Sequence, residues 1–407
     1  MNKIEQLLHT LAPKGVGFRK LGEVLEYDQP NKYCVTSKEF DKSYPTPVLT
    51  AGKTFILGYT NEKDNIYQAS KSSPVIIFDD FTTATQWVDF PFKVKSSAMK
   101  ILFSKNPTIN IRFIFFYMQT IPYNISGEHT RQWISRYSQL EVPIPPLEIQ
   151  QEIVKILDAF TELNTELNTE LNARKKQYQY YQNMLLDFND INQNRKDVAE
   201  KLVQKPYPKR LKQLLHTLAP KGVEFRKLGE VCDFQKGKSI TKKAVTFGKV
   251  PVISGGRQPA YYHNEANRSG ETIAISSSGV YAGYVSYWDI PVFLADSFSV
   301  SPKQKTLMPK YLFYYLTTQQ DAIHATKSAG GIPHVYSKDL QNFLIPIPPL
   351  EIQQEIVTIL DQFSILTTDL QAGIPAEIKA RKKQYEYYRE KLLTFKPLTP
   401  NKEVEKA

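Results

Sequence analysis

The chain has 407 residues, enough for two or three domains with cores of their own, and its 52 Lys+Arg against 41 Asp+Glu leave a net charge of +11. That surplus favours a polyanionic partner, nucleic acid ahead of a membrane. Two distant cysteines, Cys34 and Cys232, give neither a disulfide framework nor a zinc site and suit a reducing cytoplasm, and no apolar run reaches the ~18 residues of a membrane span.

In chain order, "MNKIEQLLHTLAPKG" predicts a small amphipathic helix, too short and too polar for a signal peptide. Residues 25–142 follow as short β-rich runs such as "SPVIIF", broken by Gly, Ser, Pro and Asn; "FIFFYM" (Phe113–Met118) reads as a buried strand or helix. Pro145 and Pro146 block helix upstream, so a helix starts sharply after them. From there Ile153, Leu157, Phe160, Asn164, Leu167, Leu171, Arg174, Tyr178, Tyr181, Leu185 and Phe188 alternate at spacings of 4 and 3. This period of about 3.5 predicts a coiled-coil helix of about forty residues, polar in its seam only at Asn164 and Arg174. Inside it Thr-Glu-Leu-Asn occurs three times, from Thr161 to Asn172. Each unit adds ~6 Å of helix and turns Leu163, Leu167 and Leu171 by about 40° per step, so units can be gained or lost with the seam kept. Replication slippage alone also produces such repeats.

The chain then starts again. "QLLHTLAPKGVGFRKLGEV" (Gln6–Val24) recurs from Gln213 to Val231 with one change, Gly17 against Glu224. "PIPPLEIQQEIV" (Pro143–Val154) recurs unchanged from Pro346, and "ARKKQYQYYQNMLLDF" (Ala173–Phe188) returns as "ARKKQYEYYREKLLTF" from Ala380. The offsets are 207, 203 and 207 residues, so the first variable segment is four residues longer than the second and the first spacer helix four shorter. The variable segments share only a skeleton: "PVLTAGK" faces "PVISGGR", and "DFPF" faces "DIPV". The second long helix repeats the pattern through Ile356, Leu360, Phe363, Tyr385, Tyr388, Leu392 and Phe395, but Gly373 and Pro375 should kink or break it. The expected fold is α+β with an internal pseudo-twofold repeat. Two mostly β domains are joined and separated by two long helices, packed as an antiparallel coiled coil. The expected boundaries are an N-terminal helix at 1–17, a first domain at 18–146, a helical spacer at 147–212, a second domain with its leading helix at 213–349 and a C-terminal helical spacer at 350–407.

Catalytic motifs are missing. The Asn/Asp-Pro-Pro-Tyr/Phe signature of an adenine methyltransferase does not occur, and "IPYN" at Ile121 does not replace it. "CDFQKGKS" (Cys232–Ser239) ends like a phosphate-binding loop but has Cys where the first Gly belongs. "FDDF" around Asp79 and Asp80 suggests a nuclease carboxylate pair without its Glu-x-Lys partner. No catalysis is expected of this chain alone.

The duplicated "PIPPLEIQQEIV…ARKKQY" blocks, the "FRKLGEV" openings, the two divergent domains and the tandem tetrapeptides resemble, over essentially the whole chain, the specificity subunits of type I restriction-modification systems. The resemblance implies that each variable domain is a target recognition domain reading one half of a bipartite asymmetric sequence in double-stranded DNA. It implies that the helices set the unspecified spacer and dock two modification subunits, adenine N6 methyltransferases. Restriction subunits then join. Cofactors are expected only in those partners: S-adenosylmethionine, ATP and Mg2+, none in this chain. The location implied is cytoplasmic, with no membrane contact. In relatives of this kind tetrapeptide copy number alters the spacer, which gives the stutter a purpose. The Gly373-Ile374-Pro375 interruption departs from the pattern. Alternatives are a stand-alone DNA-binding or architectural protein, a single-chain enzyme, and a structural coiled coil.

Base readout needs Arg, Lys, Asn, Gln, Ser or Thr at groove edges. In the second domain "SGGRQPAYY" offers Arg257 for guanine and Gln258 for adenine; a β-turn with a solvated arginine is the competing interpretation. "ISSSGVYAG" offers Ser276, Ser277 and Ser278. "KSAGGIPHV" resembles family loops that lie against DNA and offers Lys327 and His334, the latter equally a structural histidine. In the first domain Lys53 takes the place of Arg257, and "HTRQWISRY" aligns by offset with the Gly-Gly-Ile-Pro-His loop, supplying Arg131, Gln132 and Arg136 beside a Trp133 that reads as core. Tyr178, Tyr181, Tyr385 and Tyr388 are expected to pack the helices and dock the partner subunits. The adjoining Lys175, Lys176, Arg381, Lys382 and Lys383 face the DNA spacer or only solvent.

Overall fold

The computed structural model describes residues 3–50, 54–122, 131–303, 305–328, 331–368 and 373–398. The chain divides into two compact units, residues 1–167 with 378–407, and residues 168–377.

In the first unit the opening helix α1 (Lys3–Leu11) leads into β1 (Gly17–Lys20), the short α2 (Leu21–Val24), then β2 (Leu25–Asp28), β3 (Thr46–Leu49), β4 (Ile56–Thr60), β5 (Val75–Asp79), β6 (Thr85–Val88), β7 (Lys93–Val94) and β8 (Met99–Ser104). The apolar run "FIFFYM" becomes a helix, α3 (Ile111–Met118), because Asn110 caps it: its side chain accepts from the Arg112 and Phe113 N–H groups. Strand β9 (Glu141–Ile144) closes the domain, and helix α4 (Leu147–Leu186) begins directly after the Pro-Pro pair. Strands order as β2-β8-β5-β6 and β4-β3-β7, with β1 paired to β9. That pair joins the "GFRK" and "EVPI" segments (Gly17 opposite Ile144), so the duplicated blocks flanking the variable segment hold each other.

The second unit repeats the design. After the end of α4 come α5 (Val198–Gln204), α6 (Lys209–Leu218), β10 (Glu224–Lys227), α7 (Leu228–Val231), β11 (Cys232–Lys236), β12 (Val250–Ile253), β13 (Tyr261–His263), β14 (Thr272–Ser276), β15 (Val285–Trp288), β16 (Phe293–Leu294) and β17 (Ser297–Pro302). Helices α8 (Pro309–Thr318), α9 (Gln320–Ala325) and α10 (Ser337–Leu340), strand β18 (Leu344–Ile347) and helix α11 (Leu350–Thr368) follow, and α12 (Ile374–Leu393) returns to the first unit. The sheets are β11-β17-β14-β15, β13-β12-β16 and β10-β18, the first unit's topology strand for strand. Two domains that share a skeleton of a few residues share one fold.

Three side-chain ties recur at equivalent places and explain the repeated blocks. Gln150 and Gln353 are fully buried. Gln150 accepts from the Asn110 N–H (2.8 Å) and donates to the Pro145 carbonyl (2.7 Å); Gln353 accepts from the Met308 N–H (2.8 Å) and donates to the carbonyls of Thr306 (2.8 Å) and Pro348 (2.7 Å). Each glutamine thus ties the start of a long helix to the loop leading into an earlier helix of its domain, α3 or α8. Lys3–Glu152 and Arg210–Glu355 pair across the opening helix, and Arg112–Asp158 matches Lys310–Asp361. Replacing Gln353 by Leu strands an N–H and two carbonyls and should cost the second unit about 2–3 kcal/mol, read by denaturant unfolding; a loss under ~0.5 kcal/mol would contradict the staple.

Helix α4 is 40 residues long, as the seam predicts. Ile153, Leu157 and Leu185 are fully buried, whereas Leu163, Leu167 and Leu171 are half-buried. The tetrapeptide threonines fit a helix because Thr161 and Thr165 donate back to the carbonyls of Leu157 and Thr161 (2.9 Å each). In the first unit Phe160 stacks on Tyr388 (5.5 Å, 25°); in the second Tyr181 stacks on Phe363 (5.1 Å, 24°). The second repeated helical segment is two helices, α11 and α12, with residues 369–372 outside the described set. Pro375 occupies the first turn of α12, where its missing N–H costs nothing.

Lys93 is buried in the first domain and pairs with Glu62 (2.7 Å). Burial pushes the Glu62 carboxyl up, but the Lys93 pair and hydrogen bonds from Ser37 and Thr36 outweigh it and hold the carboxyl at about 2. A depressed carboxylate stabilises above its unfolded value near 4.3 and loses that contribution as pH falls toward 2. Acid unfolding of the first domain between about pH 4.3 and 2 should therefore flatten in Glu62→Gln; an unchanged acid limb would refute it.

Candidate nucleic-acid interface

Several candidate readers lie where β5 and β8, or β14 and β17, reach their ends. In the second domain the Ser277 N–H donates to the Asp296 carbonyl (3.1 Å), and the Ser277 carbonyl accepts from the Val335 N–H (2.9 Å). In the first, the Asp80 N–H donates to the Ala98 carbonyl (3.2 Å), and the Asp80 carbonyl accepts from the Gln132 N–H (2.8 Å). These matching ladders equate Asp80 with Ser277, Ala98 with Asp296 and Arg131 with His334. One backbone corner carries two different sets of side chains.

In the second domain the corner opens into a cleft of about 680 Å³ lined by Lys236, Ser277, Asp296, His334, Tyr336 and Lys338, among others. Ser278 forms a β-bridge with His334, and its hydroxyl donates to the Asp296 carboxylate. His334 stacks on Tyr336 (5.9 Å, 15°), and its N–H donates to the Ser328 hydroxyl (3.1 Å). Lys327 is half-buried and reaches the Val280 carbonyl (3.4 Å). Arg257 is exposed and lies over the rings of Tyr281 (5.0 Å) and Tyr284 (5.6 Å), so it is more than a solvated turn residue; Gln258 is exposed beside it. Of the two glycines, Gly255 permits a close approach: a Cβ there would stand 2.7 Å from the Ser278 carbonyl oxygen, whereas Gly256 faces mostly open space.

In the first domain the Asp80 carboxylate is fully buried. One oxygen accepts from the N–H groups of Gln132 (3.1 Å) and Trp133 (2.9 Å). The other makes no hydrogen bond and faces Lys100 Nζ (3.7 Å) and a guanidinium nitrogen of the half-exposed Arg131 (3.8 Å). Lys100, itself buried, donates to the Gln29 side chain and lies over Tyr27; burial first, then Arg131, lowers its pKa against the pull of Asp80. Arg136 is exposed nearby in sequence.

Two expected readers are corrected. Gln132 and Ser276 are buried, and a buried side chain presents nothing to a base edge; the Ser276 hydroxyl donates to the Ser254 carbonyl (3.1 Å). Lys53 lies outside the described residues. Trp133 is core, packed on Phe78 and Tyr137. Asp79 caps its own turn, accepting from Phe81, Thr82 N–H and the Thr82 hydroxyl, so the "FDDF" pair is accounted for by structure. Among the described residues no group of three His, Cys, Asp or Glu gathers that could hold a metal ion. Sequence reasoning missed Asp296, Lys236 and Lys100, whose only signal was their place near strand ends, and Tyr336, which stands just before α10.

The tyrosines divide. Tyr178 packs on the second unit's core, and burial raises its pKa to about 12; Tyr181, Tyr385 and Tyr388 engage phenylalanines. The ones standing out are Tyr180 (59% exposed) and Tyr387 (60%), equivalent positions of the repeat. Among the described residues no helix is long and apolar enough to cross a membrane. Both cysteines are free, their pKa values raised by burial, that of Cys232 to about 12.

Comparison with known proteins agrees with this architecture. The type I restriction modification DNA specificity domain matches twice, at residues 13–176 and 220–380. The specificity subunit of the Escherichia coli type I restriction enzyme EcoR124I/EcoR124II is 39% identical over 433 residues, 98% of each chain. A putative type I restriction enzyme specificity subunit of Haemophilus influenzae is 31% identical over 357 residues, 84% of this chain and 85% of that one. The crystal structure of a type I restriction-modification S subunit from M. genitalium shares the fold, with a TM-score of 0.62 at 16% identity, covering 93% of this chain and 96% of that one. A family match in both halves and a full-length relative together place this chain in the type I restriction modification DNA specificity family.

Proposed function

We propose that this chain is the non-catalytic, DNA-reading specificity subunit of a type I restriction-modification complex. One observation carries it most: two domains of identical strand order present different side chains from the same backbone corner. Such a pair reads two different half-sites in one geometry. The net charge of +11 supports a phosphate-bearing target, and the names of the full-length relatives support the complex. The readers, in recognition domains 18–146 and 213–349, are Arg131, Arg136, Arg257, Gln258, Ser277, Ser278, Lys327 and His334. The helices set the spacer and dock two adenine methyltransferase subunits, with Tyr180 and Tyr387 as the outward contacts. S-adenosylmethionine, ATP and Mg2+ belong to the modification and restriction subunits, and the complex works in the cytoplasm.

Co-expression with the modification subunit tests this. The expected result is a complex of two modification subunits per chain whose DNA affinity falls with salt, log affinity dropping by about 0.9 per log salt for each phosphate contacted. Separate elution of the two proteins would overturn it.

A further inference from the structure

The strand-end corner differs in charge between the two domains, and the differences are coordinated. Where the first domain has Asp80, Lys100 and Arg131, the second has Ser277, Phe298 and His334; where the first has Ala98, the second has Asp296. The carboxylate has moved from a buried place behind a cation to an exposed place on the cleft.

Asp80 holds its position through two backbone N–H bonds on one oxygen, and its other oxygen, buried and without a hydrogen bond, faces both the buried Lys100 (3.7 Å) and the half-exposed Arg131 (3.8 Å). A guanidinium drawn in on one side keeps its remaining N–H donors directed outward, which suits a bidentate pair of acceptors. Asp296 is oriented by the Ser278 hydroxyl, and no ion pair involving it occurs among the described residues although Lys236 and Lys338 line the same cleft. A carboxylate on a surface that meets phosphates costs affinity by repulsion, and it offsets that cost only by accepting from a donor on a base edge.

We propose that this corner is the base-discriminating subsite of both recognition domains, with its hydrogen-bond polarity inverted between them. Arg131, braced by Asp80, donates to a guanine edge in the first half-site. Asp296 accepts from an exocyclic amino group, of cytosine or adenine, in the second. Asp80 is a positioning residue. The proposal rests on the DNA-reading function above and adds which residues discriminate and in which sense.

The test maps methylated motifs made by the whole complex carrying the wild-type chain, Arg131→Ala, Arg131→Lys, Asp80→Asn or Asp296→Ala. Arg131→Ala and Arg131→Lys should each relax one guanine position of one half-site by roughly tenfold or more, since the lysine keeps the charge and loses the fork. Asp80→Asn should relax the same position, and adding it to Arg131→Ala should cost nothing further, which a merely structural lesion would not do. Asp296→Ala should relax one position of the other half-site only, and the base lost there identifies cytosine or adenine as the amino donor. Unchanged motifs in Arg131→Ala or Asp296→Ala would overturn the proposal, as would a uniform loss at all sequences, the mark of a phosphate contact or of unfolding. A wild-type chain without a split motif would instead refute the DNA-reading function itself.

Discussion

Alanine at Gly222 should destabilise the second unit by about 2–4 kcal/mol, a drop of the order of 10 °C in its Tm. Gly222 ends the turn after α6 with φ +94°, a conformation that side chains rarely adopt. A Cβ there would stand 2.5 Å from the Ile191 carbonyl oxygen and 2.9 Å from the Gln193 nitrogen. Both are backbone atoms in the strand-like bridge that fastens this turn to the segment after α4: the Val223 N–H donates to Ile191 (2.8 Å) and the Gln193 N–H to the Val223 carbonyl (3.0 Å). No rotamer change relieves that clash, so the bridge must open. Gly15 repeats the arrangement in the first unit, at φ +106° and 2.6 Å from the Pro397 carbonyl oxygen. Gly279 is the control: its φ is +84°, but nothing lies within 4 Å of its added Cβ, so Gly279→Ala should cost only the backbone strain, about 1 kcal/mol. Equal melting of the Gly222→Ala and Gly279→Ala chains would show that the bridge carries no weight.

Removing one tetrapeptide, residues 165–168, should move the two half-sites together by one or two base pairs and leave their bases unchanged. The deletion shortens α4 by ~6 Å, against a rise of about 3.4 Å per base pair. It also rotates one end by about 40°, which the half-buried Leu163, Leu167 and Leu171 tolerate better than the fully buried Ile153, Leu157 and Leu185 would. Stability should change little, and motif mapping reads the outcome. An unchanged gap would mean that α4 does not set the spacing.

Much of the architecture was legible because it is written twice. A repeated Pro-Pro followed by a period of about 3.5 announces where a helix begins and which face it buries, and Leu147 and Leu350 start their helices as expected. The offset that placed "HTRQWISRY" over the Gly-Gly-Ile-Pro-His loop is the same one the backbone ladders show for Arg131 and His334. What sequence cannot show is which polar residues turn inward. Gln150 and Gln353 carry nothing in their residue type that marks them for burial, and they are buried staples. Ser276 and Ser277 are neighbours, yet the first ends β14, a strand buried along its whole length, and the second lies just beyond it, half-exposed. Helical phase divides the tyrosine clusters in the same way: Tyr178 and Tyr181 share the packed face and Tyr180 points out. Asp80 and Lys100 lie twenty positions apart, and only the pairing of β5 with β8 makes them partners.

The central claim is that one chain carries two different DNA readers at a fixed separation. Single-molecule sequencing of DNA from cells expressing this chain with its modification subunit tests it most directly. The account predicts one split motif with methyladenine in each half, the halves unrelated in sequence and separated by a constant gap. A complex that assembles stably but methylates a single unbroken motif, or two identical halves, would contradict it.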